Sequence, residues 1–591
     1  MSELFIPNPS RHDVSTFNIL VSEKAIDPSY QVLSISIIKE INRIPLAKIV
    51  LRDGEASEKD FEISNKDDFI PGKKIKIKIG FDGNNSQVFK GIIVRHAIKI
   101  RENGNTELHI ECHDEAVKMT IGRKNQYFEK MKDSRLFDEL IGKYSGLTSE
   151  PETTQLEHKE LVQHHISDWD FMLLRAEANG MLVNVNDGTV QIGKPKTSGK
   201  PVLQVSYGSS VLELEAEMDA RKQWKNVEAT SWDYANQKLF RADASEASSF
   251  TQHGDLAGDE LAKTIDLSKY QLHHSGHLLE QELKDWTEGM MMRSRLSKIR
   301  GRAKVTGFSG IKPGDMVKLE GVGNRFKGNA FVTSVKQEVG NGMWDTHIQF
   351  GLDSNCYVFA HNDLNAAPSA GLVGAIHGLQ IGKVVQLQND PDGEHRILVK
   401  IPVIDNNAQG IWTRVASLDA GSDRGAFFRP EIDDEVIVGF INDDPRDAVV
   451  LGMLHSSAKA APITAQDVNH EKGFTTRSKM HIHFNDDTKT ITIDTPAGNK
   501  ILLDESATKI EIKDQSNNKI TMEPQGIKVE SPMNIDVKAG AVLTLSAGAS
   551  LSISAPSLSM KADASVSIEG ATAKFTSQGP NTIKGLPVMI N

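Results

Sequence analysis

The chain has 591 residues, a formal net charge of -11 and only two cysteines, Cys112 and Cys356. This length predicts several domains, and the negative charge argues against a nucleic-acid-binding surface, which needs concentrated lysine and arginine. No apolar run approaches the roughly 18 to 20 residues of a membrane-spanning helix, and residues 1–11 lack the features of a signal peptide. We therefore expect synthesis in the cytoplasm and two reduced thiols, since neither cysteine belongs to a metal-ligand motif.

Residues 1–361 are predicted to form a first domain that mixes strands with a few helices. Residues 74–79 and 94–100 alternate apolar and polar side chains, which is typical of strands with one solvated face. Between them, residues 81–85 carry the Asp-Gly signal of a hairpin turn. This region is therefore expected to contain antiparallel sheet.

Two helices of this domain have clear boundaries in the sequence. Residues 134–144 repeat apolar side chains at helical spacing, and Ser134 is the expected N-cap. Residues 167–179 have the same signature, with Ser167 as the N-cap and Gly180 as the stop.

A third helix is predicted over residues 276–300, and its three consecutive methionines are expected to fill core space. Two histidine groups lie in this domain. The group His273-His274-x-x-His277 lacks the fourth ligand that a zinc site needs, and His164-His165 is interpreted as a polar surface pair.

Residues 375–456 are predicted to form a small all-β barrel, preceded by a linker at 362–374 and followed by a linker at 457–475. Short strand signals alternate here with turn signals rich in aspartate. Such a barrel fold is able to bind oligonucleotides, but its acidic turns would repel a phosphate backbone. The sequence therefore favours a structural barrel.

The last region, 476–591, is dominated by a short repeat of apolar-x-apolar triplets. Their spacing begins near ten residues and settles to seven or eight after Ile520, with turn-forming residues between them, which is typical of a β-solenoid. The triplets are Ile491/Ile493, Ile501/Leu503, Ile510/Ile512, Ile520/Met522, Ile527/Val529, Ile535/Val537, Leu543/Leu545, Leu551/Ile553, Leu558/Met560 and Val566/Ile568.

Within each triplet the two apolar side chains face one way, so a single short strand cannot bury them by itself. Either one chain coils into a monomeric β-helix, or three chains wind together and each supplies one wall of a triangular prism. Residues 539–560 contain no charged side chain, so a lone chain would expose uncharged strand edges that invite aggregation. We therefore favour an intertwined trimer that forms a stiff needle.

Three stretches resemble a known family. Residues 162–182 contain S-D-W-x-F before an apolar run and a glycine, and residues 303–335 are similar to the family's closing hub barrel. The most specific motifs are Trp412-x-Arg414-Val415, Ala420-Gly421, Arg429-Pro430-Glu431-Ile432, Asp434-Glu435-Val436, Val438-Gly439-Phe440, Asp444-Pro445-Arg446 and Val449-Val450-Leu451-Gly452. With these motifs the chain resembles VgrG proteins, which combine the hub and the spike of phage tails in one polypeptide.

The resemblance implies a mainly β fold with minor α. The hub would contain two β-barrels with helical insertions and would precede a small OB-like β-barrel and a C-terminal intertwined trimeric β-helix. It also implies a homotrimer that meets an Hcp-like inner tube protein, baseplate proteins, a PAAR-type tip protein and effector cargo. The expected role is a non-enzymatic spike of a contractile injection system, with transient contact to a target membrane. Such a spike would be assembled in an injection particle and exported or released on contraction or lysis.

No catalytic or cofactor-binding residue is predicted, because no motif of a nucleophile, metalloprotease or nucleotide site occurs. The tip-binding end is expected to be Leu586, Pro587, Val588, Met589, Ile590 and Asn591. His481 and His483 are candidate metal ligands, since both rings would face one way on a strand and a threefold axis would gather six imidazoles. Their distance from the tip argues against this, and we commit to no metal.

Three alternatives stay open. The repeat alone would also suit a monomeric β-solenoid enzyme or adhesin that acts on surface glycans, although the absence of a signal peptide argues against it. A nucleic-acid-binding barrel protein is disfavoured by the acidic turns. Type VI secretion, an extracellular injection particle and the tail spike of a true phage are not separated by the sequence.

Overall fold

The structure, a computed structural model, describes residues 4–8, 14–102, 104–245, 250–251, 253–361 and 363–590. Strands account for 39% of the residues and helices for 13%, which confirms the prediction of a mainly β fold with minor α. The chain divides into two compact units, residues 1–428 with 438–451 and residues 429–437 with 452–591. Within the described residues, no helix is both long enough and apolar enough to cross a bilayer.

The hub part of the first unit is built mainly from strands. They are β1 (Ser15–Val21), β2 (Lys24–Ala25), β3 (Val32–Glu40), β4 (Leu46–Arg52), β5 (Lys74–Phe81), β6 (Asn84–Ile100), β7 (Thr106–His113), β8 (Lys124–Lys132), β9 (Thr148–Pro151), β10 (Glu157–Ile166), β11 (Leu182–Asn186), β12 (Thr189–Gly193), β13 (Leu203–Ser206), β14 (Glu213–Met218), β15 (Val227–Asp233), β16 (Lys238–Ala244), β17 (Tyr270–His274), β18 (Ile299–Thr306), β19 (Met316–Glu320), β20 (Gly328–Gly340) and β21 (Met343–Phe350).

Helices are inserted between these strands. They are α1 (Glu62–Asn65), α2 (Asp133–Gly142), α3 (Asp168–Ala178), α4 (Gly258–Ile265), α5 (Glu280–Leu296), α6 (Gly323–Phe326) and α7 (Tyr357–Ala360). Short 3-10 segments occur at Asp67–Phe69, Glu115–Thr120, Pro368–Gly371 and Ile441–Asp443.

One 13-stranded sheet organises the hub. Its strands follow the order β14-β18-β21-β20-β3-β4-β7-β6-β5-β1-β2, with β19 attached to β20 and β13 attached to β19. The sheet carries two separate apolar cores, one on the β1 to β7 half and one on the β13, β18 to β21 half. The two hub barrels expected from the resemblance therefore correspond to two halves of one continuous sheet, each with its own core.

The strand predictions in the hub are confirmed. β5 alternates buried and half-buried side chains, and Ile75, Ile77 and Ile79 are fully buried. The hairpin to β6 turns at Asp82 and Gly83, whose φ angles of 53° and 79° are left-handed. This is the backbone geometry that an Asp-Gly hairpin turn requires.

Helices α2 and α3 confirm the two best-marked helix predictions, with one correction. Ser167 caps α3, since its hydroxyl accepts a hydrogen bond of 3.1 Å from the Asp170 N–H. Ser134 does not cap α2, because that helix already begins at Asp133 and the Ser134 N–H donates to the Thr154 hydroxyl at 3.1 Å. The prediction of Ser134 as N-cap is therefore wrong. Strand β8 continues directly into the helix, and the hydroxyl of Thr154 accepts a hydrogen bond from a backbone N–H of the first helical turn.

The third predicted helix is shorter than expected. α5 covers Glu280–Leu296, and the chain enters strand β18 at Ile299, so the end predicted near residue 300 is wrong. Met290 and Met291 are buried, which confirms that they fill core space. Gly289 in this helix lies against Gly180 at the end of α3, and a Cβ added at Gly289 would be 2.6 Å from the Gly180 Cα.

A small barrel follows the hub along the chain. Its strands are β22 (Gln380–Gln386), β23 (Ile397–Lys400), β24 (Ile411–Val415), β25 (Ala420–Gly421), β26 (Arg424–Gly425), β27 (Glu435–Phe440) and β28 (Ala448–Met453). Five of them close a barrel in the order β22-β23-β24-β28-β27, and β25 pairs with β26 in a separate hairpin. The barrel predicted from the turn spacing is therefore confirmed.

The second unit contains a meander in which every strand pairs antiparallel with its neighbour in sequence. Its strands are β29 (Glu471–Thr475), β30 (His481–Asn485), β31 (Thr490–Asp494), β32 (Lys500–Asp504), β33 (Lys509–Lys513), β34 (Lys519–Glu523) and β35 (Gly526–Glu530). The first strand lies inside the stretch expected as a linker. No helix or strand occurs in the described residues 531–590.

Candidate assembly surface

One face of the meander is apolar and exposed. The members of this apolar face alternate with polar residues along each strand, as the triplets predict. In the single chain these residues are between 36% and 69% exposed. They are Phe474, Ile482, Phe484, Ile493, Ile501, Leu503, Ile510, Ile512, Ile520, Met522, Ile527 and Val529.

The register of the ladder makes this face continuous. Ile493 lies opposite Ile501, which lies opposite Ile512, and Ile512 lies opposite Ile520. Cross-strand neighbours at these positions have Cβ atoms about 4.5 to 5.5 Å apart, so their side chains touch. An exposed apolar surface of this extent marks an interaction site.

The opposite face of the meander, the polar face, carries charged and hydroxyl side chains. Glu511 lies near its centre, 3.2 Å from the Lys509 ammonium and 3.5 Å from that of Lys519. Burial alone would raise the pKa of the Glu511 carboxyl, but the hydrogen bond from Lys509 and the charge of Lys519 together lower it. This carboxylate therefore remains ionised at neutral pH and holds two lysines along the sheet.

His481 and His483, the candidate metal ligands, both lie on strand β30 and belong to the polar face. The His481 Nδ1 is 2.9 Å from Asp494 Oδ1 on the neighbouring strand. If the apolar face lies against partner chains, both rings point away from them. Among the described residues of one chain, no group of three or more His, Cys, Asp or Glu side chains is arranged to hold a metal. A metal shared between chains stays a prediction.

The expected tip-binding end is exposed. Leu586, Met589 and Ile590 keep more than 80% of their side-chain surface open, and Val588 keeps 47%. Pro587 lies among them, and Asn591 lies outside the described residues. The structure thus presents a short apolar end, and its role in tip binding stays a prediction.

The other histidine groups have ordinary local partners. His164 and His165 are exposed, as a polar surface pair should be. His273 Nδ1 is 2.8 Å from the Thr230 hydroxyl, and His277 Nδ1 is 3.3 Å from the Trp232 carbonyl oxygen. Hydrogen bonds within the hub therefore account for the positions of the His273 and His277 rings.

The sequence did not reveal a buried charge cluster in the hub. Asp133, at the start of α2, is bound by both Nε and Nη2 of Arg175 at 2.8 Å, by His158 Nε2 at 2.9 Å and by the Asn179 amide at 2.8 Å. Burial would raise the pKa of this carboxyl, but the bonds from Arg175 and His158 hold it well below its usual range. The cluster joins α2, α3 and β10, whose members are far apart in sequence.

A cleft of about 740 Å³ opens in the first unit. Its charged lining residues include pairs, such as Arg293 with Glu177 at 2.5 Å and Arg302 with Glu215 at 2.9 Å. These ion pairs connect residues of the cleft walls, so the carboxylates of Glu177 and Glu215 each already have an arginine partner. The absence of a catalytic residue stays a prediction.

Comparison with known families places two parts of the chain. Residues 11–341 match the family model described as "Alg8 N-terminal domain". Residues 380–455 match the model described as "Type VI secretion system/phage-baseplate injector OB domain". The second match coincides with the five-stranded barrel.

Individual relatives are more distant. The type VI secretion system spike protein VgrG3 of Vibrio cholerae is 30% identical over 129 residues, which cover 21% of this chain and 12% of that protein. The chain thus spans a small part of this curated relative. A Francisella PdpA-VgrG complex aligns over 88% of this chain and 80% of that chain, at 10% identity and a TM-score of 0.37. A prophage MuSo2 tail protein from Shewanella oneidensis aligns over 57% of this chain and 99% of that chain, at 10% identity and a TM-score of 0.44.

A β-sheet hub followed by an injector OB barrel places the chain in the class of VgrG-like injection and baseplate proteins. Because the Alg8 N-terminal domain model matches more than half of its length, the chain belongs to that family.

Proposed function

We propose that this chain is the structural spike of a contractile injection system and acts as a homotrimer. The observation that carries the proposal is the injector OB barrel at residues 380–455, followed in the same chain by a meander with an open apolar face. An injector barrel indicates the kind of machine, and the open face indicates that the chain completes its fold with other chains.

The apolar face supports self-association because most strands of the meander expose two large apolar side chains that one chain leaves in water. Burying a side chain of this kind is worth about 1.5 to 3 kcal/mol. Three meanders with their apolar faces turned inward would bury this surface around one axis. The number three follows from the resemblance to VgrG proteins.

The segment 531–590 is expected to continue the shaft in the assembled trimer. Its apolar triplets keep their spacing, and side chains such as Ile535, Leu543 and Leu551 are more than half exposed in the single chain. Strands from neighbouring chains would supply the backbone partners that this segment lacks internally. The result is a β-helical needle with few free strand edges.

The proposed work of this needle is mechanical. The hub would connect to an Hcp-like tube and to baseplate proteins, and the apolar end at residues 586–591 would seat a PAAR-type tip. Contraction would then drive the shaft through a target membrane and deliver effectors. The proposal gives the chain no catalytic role.

The first test is the solution mass of the purified chain by light scattering. We expect a mass near three times 65.0 kDa, and we expect the association to be lost or weakened in a truncation that ends at Ser456. A full-length chain that stays monomeric at micromolar concentration would overturn the proposal and would favour a monomeric β-solenoid enzyme or adhesin.

A second test addresses the tip. A variant that lacks residues 586–591 should keep the trimer mass and lose binding to a PAAR-type protein in a pull-down. If the shortened trimer binds the tip protein as well as the full chain does, the tip-binding site lies elsewhere in the chain.

A further inference from the structure

Three lysines follow one margin of the meander on neighbouring strands. Lys500 on β32 lies directly opposite Lys513 on β33, and Lys513 lies directly opposite Lys519 on β34. Directly opposite side chains in an antiparallel ladder are about 4.5 to 5.5 Å apart at Cβ, and like charges placed this way repel. We call these three residues the basic margin.

Carboxylates of the same chain neutralise the basic margin only in part. Asp494 lies directly opposite Lys500, and Glu530 lies directly opposite Lys519. Lys519 is 3.5 Å from Glu511, a carboxylate that it shares with Lys509 at 3.2 Å. In the described part of the chain, neither Lys500 nor Lys513 has a carboxylate oxygen within 4.0 Å. Positive charge is therefore concentrated at the centre of this edge, where Lys513 has a lysine opposite it on each neighbouring strand.

The other margin of the same strands carries two acids, of which Glu523 already contacts the Lys528 ammonium of its own chain at 2.9 Å. Asp504 ends β32 and Glu523 ends β34, four residues after Lys500 and Lys519. Residues four apart on a strand share a face and lie about 13 Å apart, too far for an ion pair within the strand. Lys509 lies between the two acids, and its ammonium contacts Glu511. We call Asp504 and Glu523 the acidic margin.

We propose that the basic margin of one protomer pairs with the acidic margin of the next protomer in the shaft. This inference rests on the proposed homotrimer. When three sheets close around an axis with their apolar faces inward, each strand end meets the opposite strand end of the adjacent sheet. At equal height, Lys500 then faces Asp504 of the next protomer and Lys519 faces Glu523. Lys513 between them faces Lys509, which begins the same strand of the neighbour.

These charge pairs fix the axial register of the protomers. The apolar face repeats two similar side chains on each strand from β30 to β35, so a slip of one strand leaves the buried apolar area nearly unchanged. The same slip breaks both opposite-charge pairs and forms one new pair, between Lys513 and either Asp504 or Glu523 of the neighbour. A lysine of the basic margin meets Lys509 of the neighbour in every register, so the number of opposite-charge pairs, two at equal height and one after a slip, decides the register.

The first experiment is a double-mutant cycle on full-length protein with the neutral variants Lys500→Gln and Asp504→Asn, which place no like charges opposite each other within one chain. Each single variant should lower the thermal midpoint of trimer dissociation by several degrees in low salt, and the double variant should lose little more than either single variant. In about 1 M NaCl, where the screening length falls to about 3 Å, the losses should shrink. Additive losses in the double variant, without dependence on salt, would overturn the pairing.

The second experiment maps the contact by disulfide formation. A chain with both Lys500→Cys and Asp504→Cys cannot bridge them internally, because a disulfide requires Cα atoms within about 7 Å. Oxidation should therefore give a covalent trimer on a non-reducing gel. Two matched controls, the unmodified chain and a chain with His483→Cys and Lys528→Cys in the middle of the polar face, should give none.

The outcomes separate this inference from the proposed function. The charge pairing is overturned if the unmodified chain is a trimer of normal mass, no cross-link forms, and the losses in thermal midpoint are additive and independent of salt. That result leaves the proposed spike function intact. A monomeric unmodified chain overturns both.

Discussion

The apolar face of the meander gives the sharpest prediction, because strand β32 carries two adjacent leucines on opposite faces. Leu503 belongs to the apolar face and is 40% exposed, whereas Leu502 lies on the polar face and is half-buried. Leu503→Asn should dissociate the trimer, and Leu502→Asn should leave it assembled. The two variants make the same chemical change one residue apart.

The magnitude follows from the exposed fraction. Full burial of a leucine is worth about 1.5 to 3 kcal/mol, so the remaining 40% of Leu503 contributes about 0.6 to 1.2 kcal/mol per protomer on assembly. An unpaired amide buried in its place costs about 1 to 3 kcal/mol more. Three copies of Leu503→Asn therefore cost the trimer about 5 to 13 kcal/mol, and each 1.4 kcal/mol is a tenfold change in the association constant.

Sedimentation equilibrium over a range of concentrations measures this change, with circular dichroism to confirm that both variants stay folded. We expect Leu503→Asn to populate monomer at micromolar concentration while Leu502→Asn keeps the trimer mass. Equal dissociation of both variants, or dissociation of Leu502→Asn alone, would show that the apolar face is not the contact surface.

Three further predictions concern the hub. Gly289→Val should lower the thermal midpoint of hub unfolding, because its Cβ would meet the Gly180 backbone, and overpacking of this kind costs about 1 to 3 kcal/mol; an unchanged midpoint contradicts the close contact. Asp133→Asn should flatten the acid limb of a stability-pH profile. The folded-state pKa of Asp133 is lowered, so its stabilisation is complete above about pH 4 and is lost as pH falls toward the folded pKa; an acid limb of unchanged slope refutes this role. Cys112 should resist thiol reagents in the native state and Cys356 should react slowly, since burial raises both thiol pKa values; rapid labelling of Cys112 would contradict its burial.

Local patterns in the sequence predicted the elements well. Ser167 caps α3 because a cap, an acidic first turn and a stopping glycine occur together within a few residues. The triplets predicted which side chains share a face of β31 to β35, because the two-residue period of a strand is a local property. The Asp82-Gly83 turn was predictable for the same reason.

Features that depend on distant residues were not predictable. Ser134 has the appearance of an N-cap, but Thr154 takes over that role through a contact that no local pattern indicates. The cluster around Asp133 needs Arg175 and Asn179, more than forty residues away. The basic margin required the register of β32 to β34, because the three lysines do not stand out until their strands are aligned.

The meander pairs each strand with its neighbour in sequence, whereas residues 531–590 have no strand partner in their own chain. Contacts between sequence neighbours form quickly, because little loop entropy is lost. Each newly made chain should thus fold its meander alone and within a single molecule. In the proposed trimer the distal segment would gain its partners only after three meanders meet, so the needle should grow from the meander toward residue 590, at a rate set by chain concentration rather than by folding.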